Sequence, residues 1–316
     1  MNSTPLSIVF LDAATFGDES LLKPLHSLGT FTSYPFTSPG EEVARMGNHP
    51  VVLTNKVVLN KNILEQCKNL KLICITATGT NNVDLEAAAA LGIEVRNVVN
   101  FSTYSVAQFT FSLLLTLVHR PLNYHQYIQQ GHYSAQPSFT YIGHNFCELA
   151  GKTFGIIGLG NIGKQVAAIA TAFGANVMYY SSSGEDRSDL YARVSLNELL
   201  QQADYVSVHA PLNDKTRNLV AAPELKQMKP GALLLNTGRG GIVNEEDLVT
   251  ALNSETIAGA AVDVFTAEPL PESHPYLSVN NPEKLLLTPH VTWASVEARR
   301  RAVGQIMSHI KAFQVS

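Results

Sequence analysis

Gly158-Leu159-Gly160-Asn161-Ile162-Gly163 follows the apolar run Phe154-Gly155-Ile156-Ile157 and opens an amphipathic stretch over 162–173. A GxGxxG placed between a strand and a helix is the signature of a dinucleotide-binding turn. Gly158 permits the tight turn, Gly160 lets the backbone approach a pyrophosphate, and Gly163 lets the helix pack close to the strand. Asn161 and Ile162 then lie at a helix N-terminus, whose free N–H groups favour phosphate.

The next strand, 176–180, should end at the residue that reads the ribose. Sites selective for NAD usually carry Asp or Glu there, bonded to the 2′-hydroxyl. Here Val177-Met178-Tyr179-Tyr180 runs into Ser181-Ser182-Ser183-Gly184, with no carboxylate at the strand end. Three hydroxyls and the nearby Arg187 suit a 2′-phosphate, so the cofactor is read as NAD(P)H with NADPH favoured. Glu185 and Asp186 keep NADH open.

Working outward from this turn, short apolar runs alternate with helical spacing, the pattern of parallel sheets covered on both faces. Strands are expected at 153–157, 176–180, 205–208, 232–236, 259–263 and 285–287, with helices at 162–173, 196–202, 223–227 and 245–253. This is a doubly wound nucleotide-binding domain. A smaller α/β unit precedes it, with strands at 7–11, 51–54, 72–76 and 94–97 and helices at 19–28, 61–66 and 85–91. Two long helices stand outside both series, at 103–118 with Ser102 as a cap and Pro121 as a stop, and at 295–313. If the last helix packs on the first unit, that domain is discontinuous. The expected fold is therefore α/β with two doubly wound, Rossmann-like parallel-sheet domains and a cleft between them: 1–100 plus 291–316 for substrate, and 101–290 for NAD(P).

Composition narrows the classes. At roughly 100–200 residues per domain, the 316 residues fit two domains. A net charge of −4 excludes a strongly basic nucleic-acid binder. Only 15% of residues are charged, against about 25% on average, which suits an oligomer. Cys67, Cys74 and Cys147 are too few and too scattered for a disulfide framework, and no CxxC is present to build a zinc site. No metal is expected, and the thiols read as reduced in a cytoplasmic protein. The polar start, Met1 to Pro5, does not read as a signal peptide. The longest apolar candidate, 109–118, carries Thr110, Ser112 and Thr116 and falls short of a membrane span.

Chemistry-bearing residues gather just past the expected strands. Arg239 lies in Asn236-Thr237-Gly238-Arg239, Glu268 follows Asp263, and His290 follows Thr288-Pro289. The carboxyl ends of parallel strands are where doubly wound folds hold ligands. Hydride exchange with an alcohol or ketone needs a group to move the hydroxyl proton, and imidazole is suited to it. A carboxylate orients the imidazole and favours its charged form. An arginine fork matches the carboxylate of a 2-oxo acid.

Over nearly its full length the chain resembles the D-isomer-specific 2-hydroxyacid dehydrogenase family. The matching stretches are Ala77-Thr78-Gly79-Thr80-Asn81-Asn82-Val83-Asp84, Ser102-Thr103-Tyr104-Ser105-Val106-Ala107-Gln108, the glycine turn, His209-Ala210-Pro211-Leu212, 236–243, 263–269 and Thr288-Pro289-His290. The Thr288-to-Ser295 stretch and Val52-Leu53-Thr54-Asn55-Lys56 resemble its glycerate dehydrogenase (hydroxypyruvate reductase) group.

The resemblance implies roles. His290 is the acid/base and Glu268 its partner. Arg239 grips the substrate carboxylate and keto oxygen, and the Thr78-Gly79-Thr80 backbone holds that carboxylate from the other domain. Asp263 bonds the nicotinamide carboxamide. Thr103, His209, Pro211, Asn236 and Thr237 touch the cofactor, as do Ser181 and Ser182 in place of the Asp of NAD-using members. Gln108 stands where many members carry Glu. From the residues alone, Asp263 also suits a strand cap, His209 a structural role and Trp293 core packing.

The expected activity is hydride transfer between NAD(P)H and a small 2-oxo acid or D-2-hydroxy acid, hydroxypyruvate or glyoxylate foremost. Expected partners are that small molecule and a second copy of the chain in a homodimer around 103–118, with no nucleic acid and no membrane. Two alternatives stand beside it: a dinucleotide-sensing, corepressor-like interaction protein, and a phosphite dehydrogenase on the same fold.

Overall fold

The computed structural model describes residues 5–315; the polar start read at residues 1–4 lies outside them. The chain forms two compact units. One runs to Ser102 and is completed by the residues from Ala294 onward; the other is Thr103–Trp293. The sequence expectation placed these boundaries at 100/101 and 290/291.

The first unit carries strands β1 (Ser7–Phe10), β2 (Thr30–Ser33), β3 (Val51–Thr54), β4 (Leu72–Ile75) and β5 (Glu94–Asn97), with helices α1 (Glu42–Met46), α2 (Lys61–Gln66) and α3 (Leu85–Ala90). All pair in parallel, in the order β2-β1-β3-β4-β5. The central β3 and β4 are buried at every position, as near-continuous apolar runs in a covered parallel sheet must be. Asn60 and Asp84 cap α2 and α3 by accepting the N–H of Ile63 and Ala87.

The expected helix at 19–28 is a 3-10 helix, Glu19–Leu28, with Pro24 inside it. Proline has no N–H for an α-helical bond, while Leu21, Leu22, Leu25 and Leu28 are still buried. Strand β2 was not foreseen, being four half-exposed residues at the sheet edge.

The second unit opens with α4 (Thr103–His119), α5 (Pro121–Gln129) and α6 (His132–Ala135). Then follow β6 (Thr153–Ile157), α7 (Asn161–Ala172), β7 (Asn176–Tyr180), β8 (Ala192–Arg193), α8 (Leu196–Gln202), β9 (Tyr205–Val208), α9 (Ala222–Leu225), β10 (Leu233–Asn236), α10 (Glu245–Asn253), β11 (Gly259–Val262) and β12 (Leu285–Leu287). The seven strands pair in parallel, in the order β12-β11-β10-β9-β6-β7-β8. The chain leaves β6 in one direction through β7 and returns on its other side at β9, so the strand order reverses between β6 and β9. That reversal opens the crevice in which such sheets hold ligands.

Helix α4 buries Val106, Ala107, Thr110, Phe111, Leu113 and Leu114 and belongs to this unit's core. The Phe111 ring stacks on Phe154 and Phe173, with centroids 5.7 and 5.5 Å away. Its apolar run is thus spent largely inside the unit, which qualifies the expectation that it forms a dimer face.

The last helix, α11 (Val296–Gln314), is capped by Ser295 and docks on the first unit. Gln305 exchanges two hydrogen bonds with the Val99 backbone, at 3.0 and 2.9 Å. Arg96 donates to His309 O at 3.0 Å, and Arg301 donates to Phe101 O at 2.8 Å. Among the described residues no helix is long and apolar enough to cross a membrane.

Candidate active site

At the end of β6 the glycine turn folds as its spacing demands. Gly158 has φ of 96°, and a Cβ there would lie 2.7 Å from Ala210 N, beyond the end of β9. At Gly163 it would lie 2.3 Å from Gly158 O, so the helix reaches its seat only without a side chain. At Gly160 a Cβ would meet nothing within 4 Å. The outer face of the turn is therefore open where α7 begins at Asn161, and the cradle fits a dinucleotide pyrophosphate. Ile162 is partly buried against the core.

Beyond β7, Ser181 is buried, with its hydroxyl 3.2 Å from that of Ser183. Arg187 donates to Ser183 Oγ at 3.4 Å and pairs with Glu185 at 2.5 Å. Arg193, from the two-residue edge strand β8, pairs with Asp186 at 2.9 Å and donates to the Gly184 carbonyl. Ser182 lies between these groups in the chain. This segment thus brings two guanidinium groups, each paired with a carboxylate, and a pair of hydroxyls to the strand end.

His209 follows β9. Its Nε2 lies 2.8 Å from Ser207 Oγ and its Nδ1 3.5 Å from Thr237 Oγ1. Burial pushes this imidazole down to about 3, so it is neutral at ordinary pH. Thr237 also meets Thr110 of α4, hydroxyl to hydroxyl at 3.2 Å. The Pro211 carbonyl accepts from Thr216 Oγ1 at 2.7 Å. Thr103 is the first residue of α4.

After β10, the Asn236 side chain closes the turn that presents Arg239. Its amide donates to Arg239 O at 3.0 Å and its oxygen accepts the Gly238 N–H at 3.2 Å. Arg239 is exposed, with Nη1 donating to Gly238 O at 2.8 Å. At Gly240 a Cβ would lie 2.1 Å from the carbonyl carbon and oxygen of Phe265. The Arg239 turn and the segment after β11 therefore meet backbone to backbone.

Asp263 is fully buried and accepts four hydrogen bonds: Thr288 Oγ1 at 2.6 Å, Val291 N at 2.9 Å, and Thr292 N and Oγ1 at 3.1 and 2.6 Å. An ionised carboxylate has about four acceptor positions, so these donors use its capacity. A carboxamide N–H from a cofactor would have to share an oxygen with them. What the structure assigns to Asp263 is the clamping of 288–292, the segment that bears His290.

His290 itself has φ of 51°, a left-handed conformation uncommon outside glycine. Its carbonyl accepts the Trp293 indole N–H at 2.9 Å, so Trp293 braces this backbone and is partly buried there. His290 Nδ1 lies 2.8 Å from Glu268 Oε2, while Glu268 Oε1 accepts the Phe265 N–H at 3.0 Å. Both side chains are about one-quarter to one-third exposed, at 26% and 30%.

Thr78, Gly79 and Thr80 belong to the first unit and form the loop after β4. Thr78 O accepts from Asn97 Nδ2 at 2.7 Å, and Thr80 O accepts the Val83 N–H at 3.0 Å.

Sequence reasoning missed the clamp donors Thr288 and Thr292, whose hydroxyls look ordinary until Asp263 is seen beneath them. It also missed Arg193, on a strand too short to show alternation.

The family model for the NAD binding domain of D-isomer specific 2-hydroxyacid dehydrogenase matches residues 111–292. A hydroxypyruvate reductase of Blautia hydrogenotrophica is 34% identical over 316 residues, 98% of this chain and 97% of its own. A glycerate dehydrogenase of Methylorubrum extorquens is 34% identical over 307 residues, 97% of this chain and 95% of its own. Among solved structures, an NADPH-dependent glyoxylate/hydroxypyruvate reductase from Sinorhizobium meliloti, in complex with NADP and malonate, superposes with a TM-score of 0.79 at 26% identity, over 98% of this chain and 93% of that one. Likeness of this degree along almost the whole of both sequences leaves one placement: the chain belongs to the D-isomer specific 2-hydroxyacid dehydrogenases, oxidoreductases that work with a nicotinamide dinucleotide.

Proposed function

We propose that the chain reduces a short 2-oxo acid, hydroxypyruvate or glyoxylate, to the corresponding 2-hydroxy acid, with NADPH preferred over NADH. The observation that carries this reading is the 2.8 Å contact between His290 Nδ1 and Glu268 Oε2. It fixes the imidazole tautomer and leaves Nε2 to exchange a proton with substrate. The names of the relatives, a hydroxypyruvate reductase and a glycerate dehydrogenase, support the substrate class.

In this mechanism the exposed Arg239 fork binds the substrate carboxylate and polarises the keto oxygen. When bound, the reduced dinucleotide supplies a hydride for C2. His290 delivers its Nε2 proton to the keto oxygen, and Glu268 stabilises the charged imidazole before the transfer. Gly158, Gly160, Asn161, Ile162 and Gly163 would hold the pyrophosphate. Ser181, Ser182 and Arg187 would hold the 2′-phosphate. Thr103, His209, Pro211, Asn236 and Thr237 would hold the remainder, with Asp263 sharing an oxygen with the carboxamide. Thr103–Trp293 is then the cofactor domain. The other unit is proposed as the substrate domain, with the backbone of residues 78–80 as its carboxylate-binding loop.

A homodimer is part of the proposal. Helices α5 and α6 bury no residue, and Leu122, Ile128, Phe139, Ile142 and Phe146 are exposed along 121–146. Exposed apolar side chains in such number support an association surface, and sedimentation at a single protomer mass would refute it. Three free thiols fit a reducing, cytoplasmic setting.

The reading is tested by following oxidation of NADPH and of NADH with hydroxypyruvate, glyoxylate, pyruvate and larger 2-oxo acids. It predicts turnover, greatest with hydroxypyruvate and glyoxylate and with NADPH. No turnover with any 2-oxo acid would overturn it in favour of a sensing protein, and oxidation of phosphite with NAD would favour the other enzyme.

A further inference from the structure

The segment 264–268 hangs from two carboxylates. Glu268 holds one end, through Phe265 N–H and His290. One residue on, the Thr266 N–H goes to Glu245 Oε1 at 2.8 Å. The other oxygen of Glu245 lies 3.0 Å from His274 Nε2.

His274 is 5% exposed and packs against Phe265 and Tyr276, with ring centroids at 5.9 and 4.8 Å. Its Nδ1 accepts the Tyr276 N–H at 3.2 Å, so the ring proton is on Nε2 and is donated to Glu245. Both oxygens of Glu245 and both nitrogens of His274 therefore have assigned partners.

Glu245 is the first residue of α10, where unpaired helix N–H groups favour a carboxylate. The other acids of that turn are Glu246 and Asp247, and Asp247 accepts the Ala222 N–H at 2.8 Å. From the facing loop come only His274 and the Tyr276 phenol among the titratable groups that these contacts place beside Glu245. Burial and Glu245 together push the phenol up, so it stays neutral.

We propose that Glu245, anchored by His274, is a positioning residue that fixes the 264–268 backbone and thereby sets Glu268 against His290. The assignment rests on the reading of that pair as the proton relay. Glu245 acts on the pair through the Thr266 and Phe265 peptide groups.

The test combines kinetics with NMR of the full chain labelled with 15N-histidine, following the His290 Nδ1 proton. Glu245→Ala is expected to lose this resonance and to lower kcat about ten- to a hundredfold, with the Kd for NADPH within about twofold. Glu245→Gln keeps an oxygen for Thr266 but turns an amide NH2 toward the His274 Nε2–H, so it is expected to fall between the alanine variant and the unmodified chain in both readouts. Glu245→Ala placed on a Glu268→Gln background is expected to add no further loss. Should the alanine variant not fold, Glu245→Asp, too short to span both partners, carries the same expectations. An unchanged His290 resonance, or a loss in kcat that multiplies with that of Glu268→Gln, would overturn the assignment. Absence of 2-oxo-acid turnover in the unmodified chain would refute the functional reading instead, and the resonance would still decide the role of Glu245.

Discussion

Asp263 Oδ2 receives both the backbone N–H and the hydroxyl of Thr292, at 3.1 and 2.6 Å, within a site of no solvent exposure. Replacing this oxygen by an amide NH2, as in Asp263→Asn, sets donor against donor. A buried group left unmatched costs about 1–3 kcal/mol, and more when a charged acceptor is removed. Asp263→Asn is therefore expected to lose about 2–4 kcal/mol in urea unfolding. Turnover should fall as well, because the clamped segment carries His290. Unchanged stability would sink the clamp.

His290→Ala removes the proton donor. A positioned acid/base contributes roughly 10²–10⁴-fold, so kcat should drop by that order while the Kd for NADPH, read by fluorescence titration, stays within about twofold. Glu268→Gln keeps the shape and one acceptor but not the charge, and should fall between the two. Near-normal kcat in the alanine variant would contradict the assignment.

Arg239→Lys keeps the charge and loses the fork. Lysine binds a carboxylate as a point charge rather than by two parallel bonds. A raised KM for the 2-oxo acid is expected together with a lower kcat, amounting to about 10²-fold in kcat/KM. An unaltered KM would remove Arg239 from the substrate's carboxylate.

Ser181→Asp introduces a carboxylate at the strand end, where Ser181 and Ser183 lie 3.2 Å apart. It should repel a 2′-phosphate and accept from a 2′-hydroxyl. The ratio of kcat/KM for NADPH over NADH is expected to fall at least about tenfold. If the starting chain already prefers NADH strongly, the serine argument fails.

His209 links the fold to pH. Burial holds its imidazole at about 3 in the folded chain, whereas an unfolded histidine takes its proton near 6.5. Between those values the unfolded chain binds the proton and the folded chain does not, so stability falls as pH is lowered through this window. The contribution is fully present above about 6.5 and on the order of a few kcal/mol. His209→Gln should unfold in urea with a flatter pH dependence between about 6.5 and 3. A curve parallel to the original would refute a neutral His209 in the folded chain.

The second unit was the more legible in sequence because its elements announce themselves. The strands at 153–157, 176–180, 205–208 and 285–287 are short, mainly apolar runs, and Ser195 and Asn244 stand where helix caps are needed. The helices at 121–129 and 132–135 gave no such signal, since neither buries a residue and no apolar stripe marks them. Position along the strand ends, together with the family resemblance, brought out His290, Glu268 and Arg239. The depth of Asp263 did not show, because its burial depends on Thr288 and Thr292 closing over it from 25 and 29 residues further along. Long-range hydrogen bonding of that kind has no period in the sequence.

The close approach at Gly240 has a bearing on how such an enzyme can change. Arg239 and Glu268 sit on segments whose main chains touch, with no room for even one methyl group between them. Their spacing is therefore a fixed gauge that no surrounding side chain can loosen. A descendant that accepts a longer or bulkier acid must find the space along the walls around the substrate's tail. A screen for altered specificity should accordingly recover substitutions at many lining positions and none at residue 240.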